Sequence, residues 1–309
     1  MPDQNFHMHA VTRAVTTWEP TAPRSAIVLD SPHSGTYYPG DFDTVCDFQK
    51  LRTAEDTFVD ELYDFAPSLG VALVAAHFPR SYLDANRHYG ELDVSMLGAP
   101  WPGELADSPK VALGKGLIWR CMDDGTQLYS RKLSVAEVQA RIERCWQPYH
   151  AAVKAAIDAA HALHGHVLHI NCHSMPSESG AFGTGYAGEK HPDFVVGDRD
   201  GTTAHPALSA ALMAHLQSMG YSTALNHPYK GVELVKRYSA PSAGRHSIQL
   251  EINRRLYMDE ERLEKSAGYE QLKKALLSVT KYLCAMDIKA MTQADVGSVL
   301  SVIAARHGS

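Results

Sequence analysis

Ser25-Ala26-Ile27-Val28-Leu29 runs directly into Asp30-Ser31-Pro32-His33-Ser34-Gly35, and this junction decides the architecture. An apolar run carrying the β-branched pair Ile27 and Val28 reads as a buried strand. The polar continuation to Gly40, broken by proline and glycine, reads as the loop at its carboxyl end. Outward from this junction, short apolar runs alternate with amphipathic stretches. Residues 71–76, 167–171, 222–225 and 247–252 are the further expected strands. Thr53-Ala54-Glu55-Asp56 has the shape of a capping box ahead of Val59, Leu62, Tyr63 and Ala66, with Gly70 as the stop. Ser134-Val135-Ala136-Glu137 opens a helix through His164, with Pro148 as a kink or break. A helix over 206–219 closes at Gly220, and Asp259 caps a last helix to Met286. Alternation of this kind predicts an α/β layer structure with a mostly parallel sheet. No repeat or linker divides the chain, so one domain over residues 1–309 is expected, with its core at about 25–288. Residues 88–130, rich in proline and glycine, read as an irregular excursion that serves as a lid or a substrate-binding element.

Composition narrows the function classes. The 309 residues carry 29 basic and 35 acidic side chains, a net charge of −6, so no basic face for nucleic acid is expected. Hydrophobic residues at 45% with charged residues at 21% exclude intrinsic disorder. No apolar run is long enough for a membrane span, and the polar start MPDQNFHMHAVTR does not resemble a signal peptide. Five cysteines, at 46, 121, 145, 172 and 284, form no CxxC pair and suggest neither a disulfide framework nor a cysteine-rich zinc module. A reducing cytoplasm is the expected compartment; oligomeric state is not legible.

Several motifs fail on context. Gly183-Thr184-Gly185-Tyr186-Ala187-Gly188 matches GxGxxG, but His191-Pro192 follows where the phosphate-binding helix should run, so it reads as a glycine loop. Cys172 sits beside His173, but neighbours on a strand point to opposite faces, which makes Cys172 a buried structural residue. What survives lies at strand ends, where sites of open α/β sheets gather. His33 follows the first strand, His173 follows the strand at 167–171, and Glu251 lies on the strand around Ile248. Two histidines could supply two of the three protein ligands of a catalytic zinc, with Glu55, Asp56 or Asp60 as the carboxylate. Alternatively they are surface histidines, and Glu251 is a salt-bridge partner of Arg254, Arg255 or Arg245. Arg80-Ser81-Tyr82-Leu83-Asp84-Ala85-Asn86-Arg87 suits an anionic substrate, unless Asp84 merely pairs with an arginine on a solvated run.

With these segments in hand, the chain resembles the N-formylglutamate amidohydrolase family, zinc-dependent deformylases of histidine breakdown. The likeness rests on Ser31 to Gly35, Asp56 to Tyr63, Arg80 with Asp84 to Arg87, Trp146 to His150, His173-Ser174, Tyr229-Lys230-Gly231, His246 to Glu251 and Tyr257 to Glu260, all in the family's order. The resemblance implies a three-layer phosphorylase/hydrolase-like fold with a mostly parallel mixed sheet, related to zinc carboxypeptidases. It implies His33, Asp56 and His173 as ligands of one zinc ion, Asp56 being preferred to Glu55 by register. It further implies Glu251 as general base, Arg80 at the oxyanion, and Asn86-Arg87 at a substrate carboxylate. Arg199 lies where the sequence departs from the family and is read either as a contact for a side-chain carboxylate or as a surface residue. The implied reaction cleaves the amide of an N-acylated acidic amino acid, foremost N-formyl-L-glutamate. The alternatives are another N-acyl amino acid, a small peptide or a peptidoglycan-type amide, or a non-catalytic binding protein.

Overall fold

The computed structural model describes residues 14–180 and 188–293. Its frame is a seven-stranded sheet in the order β1-β3-β2-β4-β7-β5-β6. The strands are β1 (Val15–Trp18), β2 (Ile27–Ser31), β3 (Ala72–Ala76), β4 (Val167–Met175), β5 (Phe194–Gly197), β6 (Thr223–Leu225) and β7 (Arg245–Asn253). The four central strands β3, β2, β4 and β7 are parallel. β1 runs antiparallel to β3 at one edge, and the parallel pair β5–β6 runs antiparallel to β7 at the other. The expected mixed, mostly parallel sheet is therefore present, and two strands unseen in the sequence, β1 and β5, extend it.

Period-two alternation sorts the side chains into layers. Leu168, Ile170 and Cys172 of β4, with Ile248, Leu250 and Ile252 of β7, pack in a core that includes the helices Pro206–Ser218 and Tyr269–Ala285. On the other side, Val28, Ala72 and Val74 pack in a core with Tyr149, Val153, Ile157 and Ala160 of the helix Gln147–His164. Three layers result. Between these apolar positions, His169, Asn171 and His173 of β4 and Ser247, Gln249 and Glu251 of β7 are polar, and toward the carboxyl ends of the strands they carry the site. No helix among the described residues is long and apolar enough to cross a membrane.

Several local expectations change. The capping box at Ser134 forms, with Glu137 N donating to Ser134 Oγ at 3.2 Å and Ser134 N to Glu137 Oε2 at 2.7 Å. The helical path then runs on through a π-helical turn, Ile142–Trp146, just before Pro148, so the proline is absorbed without a break. The box at Thr53 does not form: Thr53 ends a preceding helix, Phe48–Arg52, and its Oγ1 donates to Lys50 O at 2.7 Å. Two short turns follow in place of one helix: Val59–Leu62, entered through Phe58 in a left-handed conformation, and the 3₁₀ turn Ala66–Leu69, which ends at Gly70 as expected. Asp259 does not cap a helix either. Its Oδ1 accepts from Glu261 N and Arg262 N, shaping a small hairpin of Met258–Asp259 with Glu264–Lys265, and the helix begins only at Tyr269. The strand expected at 167–171 continues to Met175, which puts His173 inside it. Residues 88–130 hold only two single turns, Val94–Met96 and Pro109–Ala112, as the irregular excursion implied. The glycine loop at 183–188 lies, apart from Gly188, outside the described residues.

Candidate active site

Three separated segments meet at the carboxyl end of the sheet. The loop after β2 brings His33, and Gly35 lets it turn back over β3, since a Cβ there would stand 2.4 Å from His77 C. His33 O accepts from Asp56 N at 2.9 Å, tying this loop to the segment ahead of Val59. β4 contributes His173. His33, Asp56 and His173 are buried, and their ligand atoms lie within 4.8 Å of one another.

The outer partners decide which atoms face inward. His33 Nε2 lies 2.7 Å from Asp84 Oδ1, a carboxylate that can only accept, so it carries the proton. Asn171 Nδ2 donates to Asp30 Oδ1 at 2.8 Å, which turns Asn171 Oδ1 toward His173 Nε2 at 2.8 Å. This contact is shorter than the 3.1 Å to Asn86 Nδ2, which has Asn171 Oδ1 as its own acceptor, so His173 Nε2 is a donor as well. Both Nδ1 atoms are then lone pairs. His33 Nδ1 has no hydrogen-bond partner, and His173 Nδ1 faces Asp56 Oδ2 at 2.9 Å. Three acceptors converging without a donor ask for a cation, and two imidazoles with a carboxylate are a donor set that zinc accepts. Burial pushes the Asp56 carboxyl up, but its close polar neighbours, His173 and His33 foremost, outweigh this and hold it well below the ordinary range. Glu55, the alternative ligand, is turned away: it accepts from Tyr38 Oη at 2.7 Å. Asp60 is likewise absent from the cluster.

Two buried groups that the sequence reading named only as ion-pair partners hold this arrangement. Asp84 accepts from His33, from Asn86 N at 2.9 Å, from Arg80 Nη2 at 3.0 Å and from Trp119 Nε1 at 3.3 Å. Burial raises its pKa, but the charges of Arg87 and Arg80 and the hydrogen bond from His33 outweigh this and keep it well below the ordinary carboxylate range. Arg254 was a salt-bridge candidate for Glu251, but instead it binds Asp56 Oδ1 at 3.2 Å, Glu55 O at 2.6 Å and Thr53 O at 3.0 Å. Asp84→Asn should weaken divalent metal binding by roughly 10- to 100-fold, as losses of such outer partners do. A competition titration against a chelator measures this, and an unchanged affinity would contradict the role assigned to Asp84.

Glu251 lies on β7 directly across from His173 on β4. Arg255 pairs with Asp193 and Arg245 with Asp158, so none of the three arginines takes Glu251. Its Oε1 accepts from Gln249 Nε2 at 2.8 Å. Burial pushes its pKa up to about 7, with the Asp56 charge adding and the charges of Arg80 and Arg254 opposing.

The site opens into a cavity of about 730 Å³. Arg80, Arg87, Lys110, Lys115, Arg199 and Arg254 all line it, a strongly cationic wall in an acidic protein. The excursion supplies Lys110 and Lys115, with Lys115 Nζ 3.6 Å over the Trp119 ring. This wall is packed into the core, for Asp84 N donates to Leu117 O at 2.8 Å. Arg87 spends Nε on Lys115 O and one Nη1 hydrogen on Asn86 O, and its Nη2 lies 3.7 Å from Asp84 Oδ2. Asn86 is more committed, accepting from Leu234 N at 2.9 Å and reaching Asn171 Oδ1 at 3.3 Å. Arg199 is half-buried and fixed by its Nη1 on Gly231 O at 2.8 Å.

The sequence profile described as N-formylglutamate amidohydrolase matches residues 25–258. The chain belongs to that family. With a crystal structure named as the N-formylglutamate amidohydrolase of Ralstonia eutropha JMP134 it shares 41% identity and a TM-score of 0.83, over 90% of this chain and 99% of that one. It is 30% identical to the N-formylglutamate deformylase of Pseudomonas aeruginosa over 243 residues, 77% of this chain and 84% of that one. The deformylase of Pseudomonas putida is 29% identical over similar coverage, 77% and 83%. As a member of the amidohydrolase family the chain is a hydrolase acting on an amide.

Proposed function

We propose that the chain hydrolyses N-formyl-L-glutamate to formate and L-glutamate with one zinc ion held by His33, Asp56 and His173. The observation that carries this reading is the convergence of two imidazole lone pairs and a carboxylate beside Glu251, in one cation-lined cavity. The relatives named as N-formylglutamate deformylases support the substrate. Bound there, the metal supplies Lewis acidity, which polarises a carbonyl and lowers the pKa of water toward neutrality. Glu251 takes a proton from the attacking water and delivers it to the leaving nitrogen. Gln249 holds one oxygen of this carboxylate, leaving the other for the proton. Arg80 is braced by Asp84 through Nε and Nη2, so Nη1 is free to face the developing oxyanion. A preorganised donor of this kind contributes about 3 kcal/mol.

The two carboxylates of the substrate account for the cationic wall, with Arg87 and Asn86 at one and Arg199 near the other. Arg87→Lys keeps the charge but loses the planar fork, and KM should rise by about 10- to 100-fold, the worth of a charge-assisted contact. Steady-state kinetics on N-formylglutamate and its carboxamide analogue check this, and equal turnover of the two by the parent enzyme would contradict it. The whole reading is tested by metal analysis of the purified protein together with a panel of N-formyl, N-acetyl and N-succinyl amino acids. Formate release confined to N-formylglutamate is the expected result.

A further inference from the structure

Gln249 lines the same cavity as Glu251 and is held there in a way that hydrolysis by Glu251 alone does not explain. It is 4% exposed and shares the inner face of β7 with Glu251 two residues on. Its Nε2 donates to Glu251 Oε1 at 2.8 Å, and this contact orients the amide, because a carboxylate only accepts. The other end, Oε1, is buried with no hydrogen-bond partner. A buried carbonyl oxygen left bare costs free energy, and buried polar atoms are rarely left so unless a ligand completes them. What completes it must be a donor, and must lie beside the atom that receives the proton from Glu251. On the proposed reaction, that donor is the N–H of the scissile amide.

We propose that Gln249 receives the amide N–H of the substrate through Oε1 while its Nε2 steadies Glu251, restricting the enzyme to secondary amides. The inference rests on the reading of the chain as an N-formylglutamate hydrolase. The chemistry balances as an ordinary hydrolysis. The water oxygen bonds to the formyl carbon, the C–N bond breaks, and the water proton passes through Glu251 to nitrogen. That nitrogen keeps its original N–H on Gln249 throughout. Its lone pair, freed from conjugation as the carbonyl becomes tetrahedral, then points away from Oε1 and toward the proton held by Glu251. Gln249 is thus a substrate-contacting residue at one end and a positioning residue at the other.

The test compares N-formyl-L-glutamate with N-formyl-N-methyl-L-glutamate, a tertiary amide, on the metal-loaded wild type and on Gln249→Met. The wild type should prefer the secondary amide in kcat/KM by about tenfold or more, the cost of leaving a buried acceptor unpaired. In Gln249→Met that preference should collapse toward unity while kcat on the secondary amide falls, with metal content retained. A preference of the same size in both proteins would overturn the proposal, because the methyl group would then be rejected by shape alone. So would wild-type turnover of the two substrates at equal rates, a result that does not depend on the variant folding. Absence of formate release from either substrate by the wild type would instead refute the underlying assignment of function.

Discussion

Glu251→Gln should lower kcat on N-formylglutamate by at least about 100-fold, the lower end of what general bases contribute. The substitution preserves shape and hydrogen-bond reach but removes the group that accepts the proton. Because Glu251 lies outside the cluster of His33, Asp56 and His173, metal content and KM should barely change. Loss of metal would show that ligand and base had been exchanged in this reading, and near-normal kcat would remove Glu251 from the mechanism. The pH profile supplies a second readout. The base works ionised, so activity should rise with pH through the pKa of Glu251. Burial pushes that pKa up to about 7, while a divalent cation nearby favours the carboxylate and draws it down. The acidic limb of kcat/KM should therefore fall at or below about pH 7, and it should vanish from the residual activity of Glu251→Gln.

His173→Ala should lose metal and activity together while keeping the fold. One of three protein ligands disappears, and solvent cannot restore its affinity. The loss should exceed the roughly 10- to 100-fold that removing an outer hydrogen-bond partner costs. Inductively coupled plasma analysis of the dialysed protein and thermal melting of the metal-free form separate the two effects. His173 borders the cavity at the end of β4, and the apolar core lies on the opposite face, where Ile170 and Cys172 are buried. Melting of the metal-free proteins should accordingly differ little. A variant that kept stoichiometric metal and full turnover would overturn the ligand assignment.

Much of this was legible in the residues themselves. The alternation of Ile248 and Leu250 against Ser247, Gln249 and Glu251 placed Glu251 on a polar face, and the strand pairs as that pattern requires. The box at Ser134 formed because its two hydrogen bonds span only three residues and need nothing else. The same pattern at Thr53 failed because tertiary partners competed: Asp56, which would close the box, faces His33 and His173 and is held by Arg254, and Thr53 Oγ1 turns back to Lys50 O. Asp259 was misjudged for a related reason, since an aspartate that caps a helix and one that shapes a turn offer the same oxygen to nearby amides.

By itself the sequence determined the layered α/β sheet, the polar face of β7 and, through its ordered motifs, which residues to look for at the candidate site. Periodicity, turn residues and linear motifs act over a few positions, and short-range patterns survive whatever surrounds them. Only the tertiary structure decided which atoms of those residues face one another. Asp56 is clamped by Arg254 from 198 positions away, and His173 is oriented by Asn171, which is itself held by Asp30 from 141 positions away. Asp84, one charge in a local cluster of arginines, became the buried acceptor that fixes the tautomer of His33. Such roles depend on strand order and burial, which strip water from a carboxylate and leave its few remaining partners to set its chemistry.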